Sequence, residues 1–231
     1  MSEGDRRRGA ATGRLRLILA TGNPGKVAEL RTSLAGWDIE VTPAADEAVP
    51  PFPPEEGSTY EENALMKAGH VAMHAGLPAL ADDSGLEVDA LKGAPGVHSA
   101  RFGGEGLGDG ERVAHLLSKM RDVPDPRRTA RFVSVLALAT PAGEVRTFEG
   151  RCEGRILHGP RGHGGFGYDP VFYSPDLGKP FGQASRDEKR AVSHRGRALD
   201  AFLRWLGEPE ADATLRARDP ELMADEDTLG D

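Results

Sequence analysis

The 231-residue chain has one cysteine, Cys152, which excludes an internal disulfide and any cysteine-cluster metal site and fits a reducing compartment. No apolar run approaches the ~20 residues that span a bilayer, so a soluble protein with no membrane partner is expected. The basic stretch Met1 to Arg14 is followed by no apolar leader core, so export is not expected and the cytoplasm is the expected compartment. Aromatic residues are sparse, at 6%. Positive charge is in deficit. Lys and Arg number 29 against 37 Asp and Glu, and the net charge of −8 argues against a general nucleic-acid binder. An anionic substrate would therefore need a locally basic pocket or a metal ion. No internal repeat and no dividing linker is evident.

Hydrophobic residues make up 38%, enough for one large domain or two small lobes. Residues 1–14 are polar, rich in Arg and Gly, and read as a disordered extension. Residues 15–206 carry the periodic segments. From Gly207 onward the composition shifts to Pro, Glu, Asp and Ala, which reads as a mobile acidic tail over 207–231.

The stretch Ala79-Leu80-Ala81-Asp82-Asp83-Ser84-Gly85-Leu86-Glu87-Val88 is the centre of the chain. It reads as a buried strand ending, a sharp turn, and a second strand beginning. Asp82 and Asp83 should leave the extended backbone on opposite sides, so one of them faces a given cleft. Adjacent carboxylates at a strand end suit Mg²⁺, which takes hard oxygen ligands and bridges to substrate phosphates. The competing reading is an Asp-Ser-Gly turn whose carboxylates bond backbone amides.

Upstream, Leu15 to Ala20 reads as a strand, followed by Thr21-Gly22-Asn23-Pro24-Gly25-Lys26 and a helix with Val27, Leu30, Leu34 and Trp37 at loose helical spacing. Strand, Gly-rich loop and helix point backbone N–H groups and a positive helix end at an anion. An ordinary βα turn has the same outline, and the Walker A spacing is absent. Lys26 at the helix start opposes the helix dipole unless it serves an anion. A Pro-rich connection then delivers Glu55-Glu56-Gly57 to a helix with two possible capping boxes, Ser58-x-x-Glu61 and Thr59-x-x-Glu62. Its apolar stripe includes Ala64, Leu65, Ala68 and Val71, and Asn63, Lys67, His70 and His74 share another face. Such faces are usually solvated, with Lys67 the candidate phosphate ligand.

Downstream, Glu111 to Met120 reads as an amphipathic helix, and Arg131 to Thr140 with Glu144 to Leu157 as an antiparallel hairpin. In Gly162-His163-Gly164-Gly165-Phe166-Gly167-Tyr168-Asp169, the glycines permit close backbone approach to a ligand and Phe166 and Tyr168 offer a stacking face. A Gly-rich hairpin turn with core aromatics is the plainer alternative. Ser185 to Glu188 forms a capping box before a helix bearing Lys189, and Ser193-His194-Arg195-Gly196 precedes the stripe Ala198, Leu199, Phe202, Leu203, Leu206.

Five of these segments, in order, resemble the inosine-triphosphate pyrophosphatase family: Thr21 to Lys26, Thr59-Tyr60-Glu61-Glu62-Asn63-Ala64, Ala81 to Leu86, Gly165-Phe166-Gly167-Tyr168-Asp169-Pro170, and Ser193 to Gly196. The resemblance covers roughly Leu15 to Leu206. It implies an α/β fold with an elongated mixed sheet flanked by helices and two lobes around a nucleotide-binding cleft, usually as a homodimer. It implies Mg²⁺-dependent hydrolysis of non-canonical purine nucleoside triphosphates to a monophosphate and pyrophosphate. By the same resemblance, Thr21, Gly22, Asn23, Pro24, Gly25 and Lys26 contact the triphosphate, and Asp83 is proton acceptor and metal ligand. Ser84, Phe166, Gly167, Tyr168, Asp169, Lys189, His194 and Arg195 are the remaining substrate contacts, with Lys67 added as a phosphate ligand. Glu55 is the choice for a second acidic group at Mg²⁺. One rival is a related pyrophosphatase of pyrimidine or modified nucleotides, which a substrate panel separates. Another, of a different class, is a nucleotide-binding regulator without turnover, from which Mg²⁺-dependent pyrophosphate release would separate an enzyme.

Overall fold

Leu15–Leu19 is apolar at four of its five positions because the strand it forms, β1, has both faces covered. The computed structural model describes residues 14–217. Within them a seven-stranded mixed sheet has the order β2-β1-β3-β4-β5-β6-β7, with β2 Ile39–Pro43, β3 Ala79–Val88, β4 Thr129–Ala139, β5 Val145–Ile156, β6 Phe172–Ser174 and β7 Lys179–Pro180. β1 runs parallel to β2 and β3, and every later pairing is antiparallel. The hairpin expected around residues 131–157 is β4–β5.

Among the described residues six α-helices flank the sheet: α1 Pro24–Leu34, α2 Tyr60–Ala75, α3 Asp109–Lys119, α4 Arg186–Val192, α5 His194–Leu206 and α6 Pro209–Arg216. The two-residue period of β4 sorts its side chains between faces. Leu136 and Leu138 join Leu30 and Leu34 of α1, Leu199 and Phe202 of α5, and Leu215 of α6. Val135 and Ala137 face the other way, against Ala64, Ala68 and Val71 of α2. A third cluster covers the far half of the sheet, where Leu86, Val88 and Phe132 meet Leu116 of α3 and Phe172 and Phe181. Each large side chain buried this way contributes about 1.5–3 kcal/mol. The clusters adjoin along β3, and Asp82, Asp83 and Ser84 lie between them.

Two expectations give way here. Ser84-Gly85 is no turn: β3 passes straight through, with Asp82 opposite Leu136, Asp83 opposite Val135 and Gly85 opposite Val133. The long partner strand supplies ladder bonds throughout, and these outweigh the local turn preference of Asp-Ser-Gly. The chain after Gly207 is also no mobile tail as far as Arg216. Pro209 starts α6, and Ala211 and Leu215, one turn apart, are buried against the first cluster. Acidic composition masked a helix that needs only one narrow apolar stripe. Residues 1–13 and 218–231, the rest of the two expected extensions, lie outside the described residues.

Candidate active site

Because β3 is extended, its adjacent aspartates point to opposite faces, as the sequence pattern requires. Asp83 faces α2. Its Oδ1 accepts from Lys67 Nζ at 2.8 Å, and its Oδ2 accepts from Asn63 Nδ2 at 3.4 Å. Asn63 and Lys67 are one helical turn apart, so a single face of α2 presents both to the strand. That face is buried at both positions, not solvated. Thr59 caps α2 by accepting from the Glu62 amide, and Asn63 Oδ1 accepts from Gly57 N at 2.9 Å, which ties the preceding connection to the helix. The tether brings Glu55 in: its Oε1 accepts from Lys67 Nζ at 2.9 Å, while Glu56 is exposed. Of the two adjacent glutamates, Glu55 is the one that faces the site. Arg101 holds the same segment from the other side by donating to the Glu55 carbonyl.

Asp82 faces α5 with its side chain fully buried. Oδ2 accepts from Arg195 Nε at 2.6 Å and lies 3.2 Å from Lys26 Nζ, and Oδ1 accepts from Ser134 Oγ. Its carbonyl oxygen accepts from both Lys26 and Lys67, so the two ammoniums meet at one backbone oxygen. Burial disfavours the Asp82 charge, but Arg195 and Lys26 outweigh it and hold the carboxyl well below its ordinary range. At Asp83 burial wins over Lys67, and the carboxyl is raised, a better base than a free aspartate. Burial also lowers Lys26. At Lys67 burial is outweighed by Asp83 and Glu55, and the ammonium is raised.

Arg195 is the hub of the second wall. Besides Asp82, it donates Nη1 to Glu29 Oε2 at 3.1 Å and Nη2 to Ser84 Oγ at 3.2 Å. Ser193 caps α5 by accepting from Gly196 N, which fixes where His194 and Arg195 project. The helix start lies directly on β5, where a Cβ at Gly150 would meet the His194 carbonyl oxygen at 2.1 Å. Only glycine allows that approach. His194 is buried and stacked on Phe132, 4.6 Å between centroids, and burial lowers its pKa so that the imidazole is neutral.

The aromatic loop closes the group. Gly165 has φ +73°, and a Cβ there would meet Asp169 Oδ2 at 1.9 Å. That oxygen accepts from Phe166 N at 2.9 Å and from Lys189 Nζ at 2.5 Å. Phe166 is 40% exposed, with Lys189 Nζ 4.7 Å and the Arg195 guanidinium 5.5 Å from its ring centre. Gly165→Ala is expected to break this knot, costing about 1–3 kcal/mol of stability and raising KM more than it lowers kcat. Thermal melts and steady-state kinetics check both.

Most expected site residues therefore converge, with qualifications. The amides of Asn23, Gly25, Lys26 and Val27 already have acceptors inside the loop, on Thr21 Oγ1, Asn23 Oδ1 and Asn23 O. The expected cradle of free amides is not what this loop presents; Asn23 caps α1, and the loop's main offering is the Lys26 ammonium. Thr21 and Gly22 lie beside it, partly or fully exposed. Lys189, expected as a substrate contact, bonds Asp169 under the aromatic loop. Tyr168 turns its ring into the third core cluster and donates its hydroxyl to Ser99 O, and burial raises that phenol to about 12. Gly167 N donates to Asp109 Oδ2. Asp82, Asn63, Glu29, Ser134 and Arg101 belong to the constellation but were not chosen from sequence. For Asn63 a signal existed, its shared face with Lys67; for Glu29 and Ser134 there was none.

Comparison with known proteins agrees with this geometry. Residues 17–205 match the Ham1 family. A dITP/XTP pyrophosphatase of Thermus thermophilus is 55% identical over 191 residues, 82% of this chain and 90% of the relative. A solved HAM1 protein from Coxiella burnetii superposes with TM-score 0.77 at 42% identity, covering 84% of this chain and 98% of the other. A nucleoside-triphosphatase / dITP/XTP pyrophosphatase structure from Mycobacterium abscessus gives TM-score 0.69 at 45% identity, covering 82% and 99%. With the mixed sheet, the paired aspartates and the ordered motifs in place, the chain belongs to the Ham1 family.

Proposed function

We propose that the protein hydrolyses non-canonical purine nucleoside triphosphates, dITP or ITP and XTP or dXTP, to the monophosphate and pyrophosphate, and so cleanses the nucleotide pool. The observation that carries this is the convergence of Asp83 and Glu55 on Lys67 beside Lys26, in a chain with a close dITP/XTP pyrophosphatase relative. A protein that merely bound triphosphate would gain nothing from two carboxylates aimed at the phosphate-binding lysine.

The donor set fits Mg²⁺. Asp83 Oδ1 and Glu55 Oε1 both accept from the Lys67 ammonium, at 2.8 and 2.9 Å, so the two carboxylates lie on one side of the site and would hold Mg²⁺ beside that lysine. Mg²⁺ typically takes one or two carboxylates and leaves other positions to water and substrate phosphate. When bound, it would neutralise charge on the phosphate oxygens and lower the pKa of the attacking water. Lys26 and Lys67 stabilise the negative charge that builds up as pyrophosphate leaves. Asp83, raised by burial, accepts the proton of the water. Asn63 and Lys67 hold its carboxylate in place. Glu55→Gln is expected to lower kcat/KM roughly tenfold or more and weaken Mg²⁺ activation, whereas Glu56→Gln stays near wild type; Mg²⁺ titrations of both variants decide.

For the base, Phe166 is the exposed stacking face. Arg195 uses three of its five N–H groups on protein acceptors, which leaves donors for a 6-carbonyl. Adenine presents an amino donor there and leaves those groups unpaired. Turnover of ATP is expected to fall on the order of 10²-fold or more below dITP and XTP. A panel of dITP, XTP, ATP and GTP tests this, and equal rates would refute it. The same reading makes the protein a cytoplasmic homodimer, which light scattering of the full chain checks. Among the described residues no helix is long and apolar enough to cross a membrane.

A further inference from the structure

A second cationic hollow lies at the opposite end of β4. Asp83 pairs with Val135, and Arg128 sits just before Thr129, so the hollow is about 20 Å along the strand from the acidic pair. It has a volume of about 370 Å³ and is lined by Arg128, Arg155, Arg161, His158, Asp125 and Tyr173. An adjoining hollow of about 430 Å³ shares Arg128 and His158 and adds Arg121.

Arg128 is the floor. It is 2% exposed and donates to the carbonyls of Ile156, Met120, Val123 and Leu157, with Asp125 the carboxylate nearby. Arg155 lies 4.5 Å over the Tyr173 ring. Among the described residues, Arg121, Arg155 and Arg161 have no carboxylate within 4 Å. The one acidic side chain in the lining, Asp125, is engaged by His158. Arg131, on the neighbouring stretch of β4, by contrast pairs with Glu87, Asp89 and Glu153. Arg121, Arg155 and Arg161 are exposed around the hollow and Asp125 is the one acidic side chain in its lining, so the lining is net positive, and the planar arginine fork suits phosphate oxygens.

We propose that this groove binds a small ligand carrying at least two phosphate charges, at a site separate from the catalytic centre. The chemistry admits a free inorganic diphosphate or the diphosphate of a nucleotide whose base lies against Tyr173.

The test uses the full chain without divalent ions, titrated with inorganic pyrophosphate and separately with inosine diphosphate, followed by amide NMR shifts and calorimetry. Shifts are expected at residues 155–161 and at Tyr173. In the Arg155→Ala/Arg161→Ala variant this binding should weaken on the order of tenfold or more, with melting temperature and dITP turnover unchanged. Arg155→Lys/Arg161→Lys keeps the charge and should lose less. Tighter binding of inosine diphosphate than pyrophosphate marks a nucleotide site; equal or weaker binding marks a phosphate site. Shifts confined to the residues around Asp83 and Lys67, or affinity unaltered in the alanine variant, would overturn the proposal.

Discussion

Asp83→Asn is expected to lower kcat for dITP by about 10²–10⁴-fold, the usual contribution of a positioned general base. The substitution keeps the shape and the hydrogen bonding to Lys67 but removes both the proton acceptor and one carboxylate of the Mg²⁺ donor set. KM should change much less, because Lys26, Lys67 and the Phe166 wall remain. Folding should hold, since Asn at this position replaces a carboxylate whose charge is opposed by burial in any case. Steady-state kinetics with a melting curve read the two effects separately. Near-normal turnover in Asp83→Asn would remove Asp83 from the proton-accepting role.

The neighbouring residue behaves in the opposite way. Asp82→Ala is expected to cost about 3–5 kcal/mol of stability, because it strands buried cations. Asp82 is the carboxylate shared by Arg195 and Lys26, and Ser134 also loses its acceptor. Arg195 retains Glu29, and Lys26 retains only the residue-82 carbonyl. For a chain of this size the loss corresponds to a melting temperature lower by roughly 6–20 °C. Asp82→Asn keeps the volume and some hydrogen bonds, so comparing the two separates charge from packing. If Asp82→Ala melted within a degree or two of wild type, the buried ion cluster would not be what holds α5 against β3.

These two aspartates show where sequence reading works and where it stops. Their adjacency and the two-residue period of a strand were enough to send them to opposite faces. That Asp83 meets α2 and Asp82 meets α5 depends on which helix covers which face of the sheet, a long-range property with no local signature. The same limit explains Glu29 and Ser134, whose roles come from partners 166 and 52 residues away. The N-cap at Thr59 and the capping box at Ser185, by contrast, are local and were legible, although Glu62 reaches back to Ser58 and not to the Thr59 amide. Local reasoning misjudged Ser84-Gly85, where an eleven-residue partner strand overrode turn chemistry, and the acidic stretch after Gly207, where two apolar residues sufficed to dock a helix. Two of the glycine-rich segments also make internal contacts. Gly165 serves Asp169, and Asn23 uses the amides that the Gly-rich loop seemed to offer a phosphate.

Hydrolysis of dITP in ¹⁸O-labelled water tests the central claim most directly, since the arrangement of Asp83 opposite Lys26 and Lys67 is read as serving water attack with pyrophosphate as the leaving group. The predicted result is a Mg²⁺-dependent reaction whose products are deoxyinosine monophosphate carrying the label and unlabelled pyrophosphate. Release of orthophosphate, or label appearing in the pyrophosphate, would contradict it.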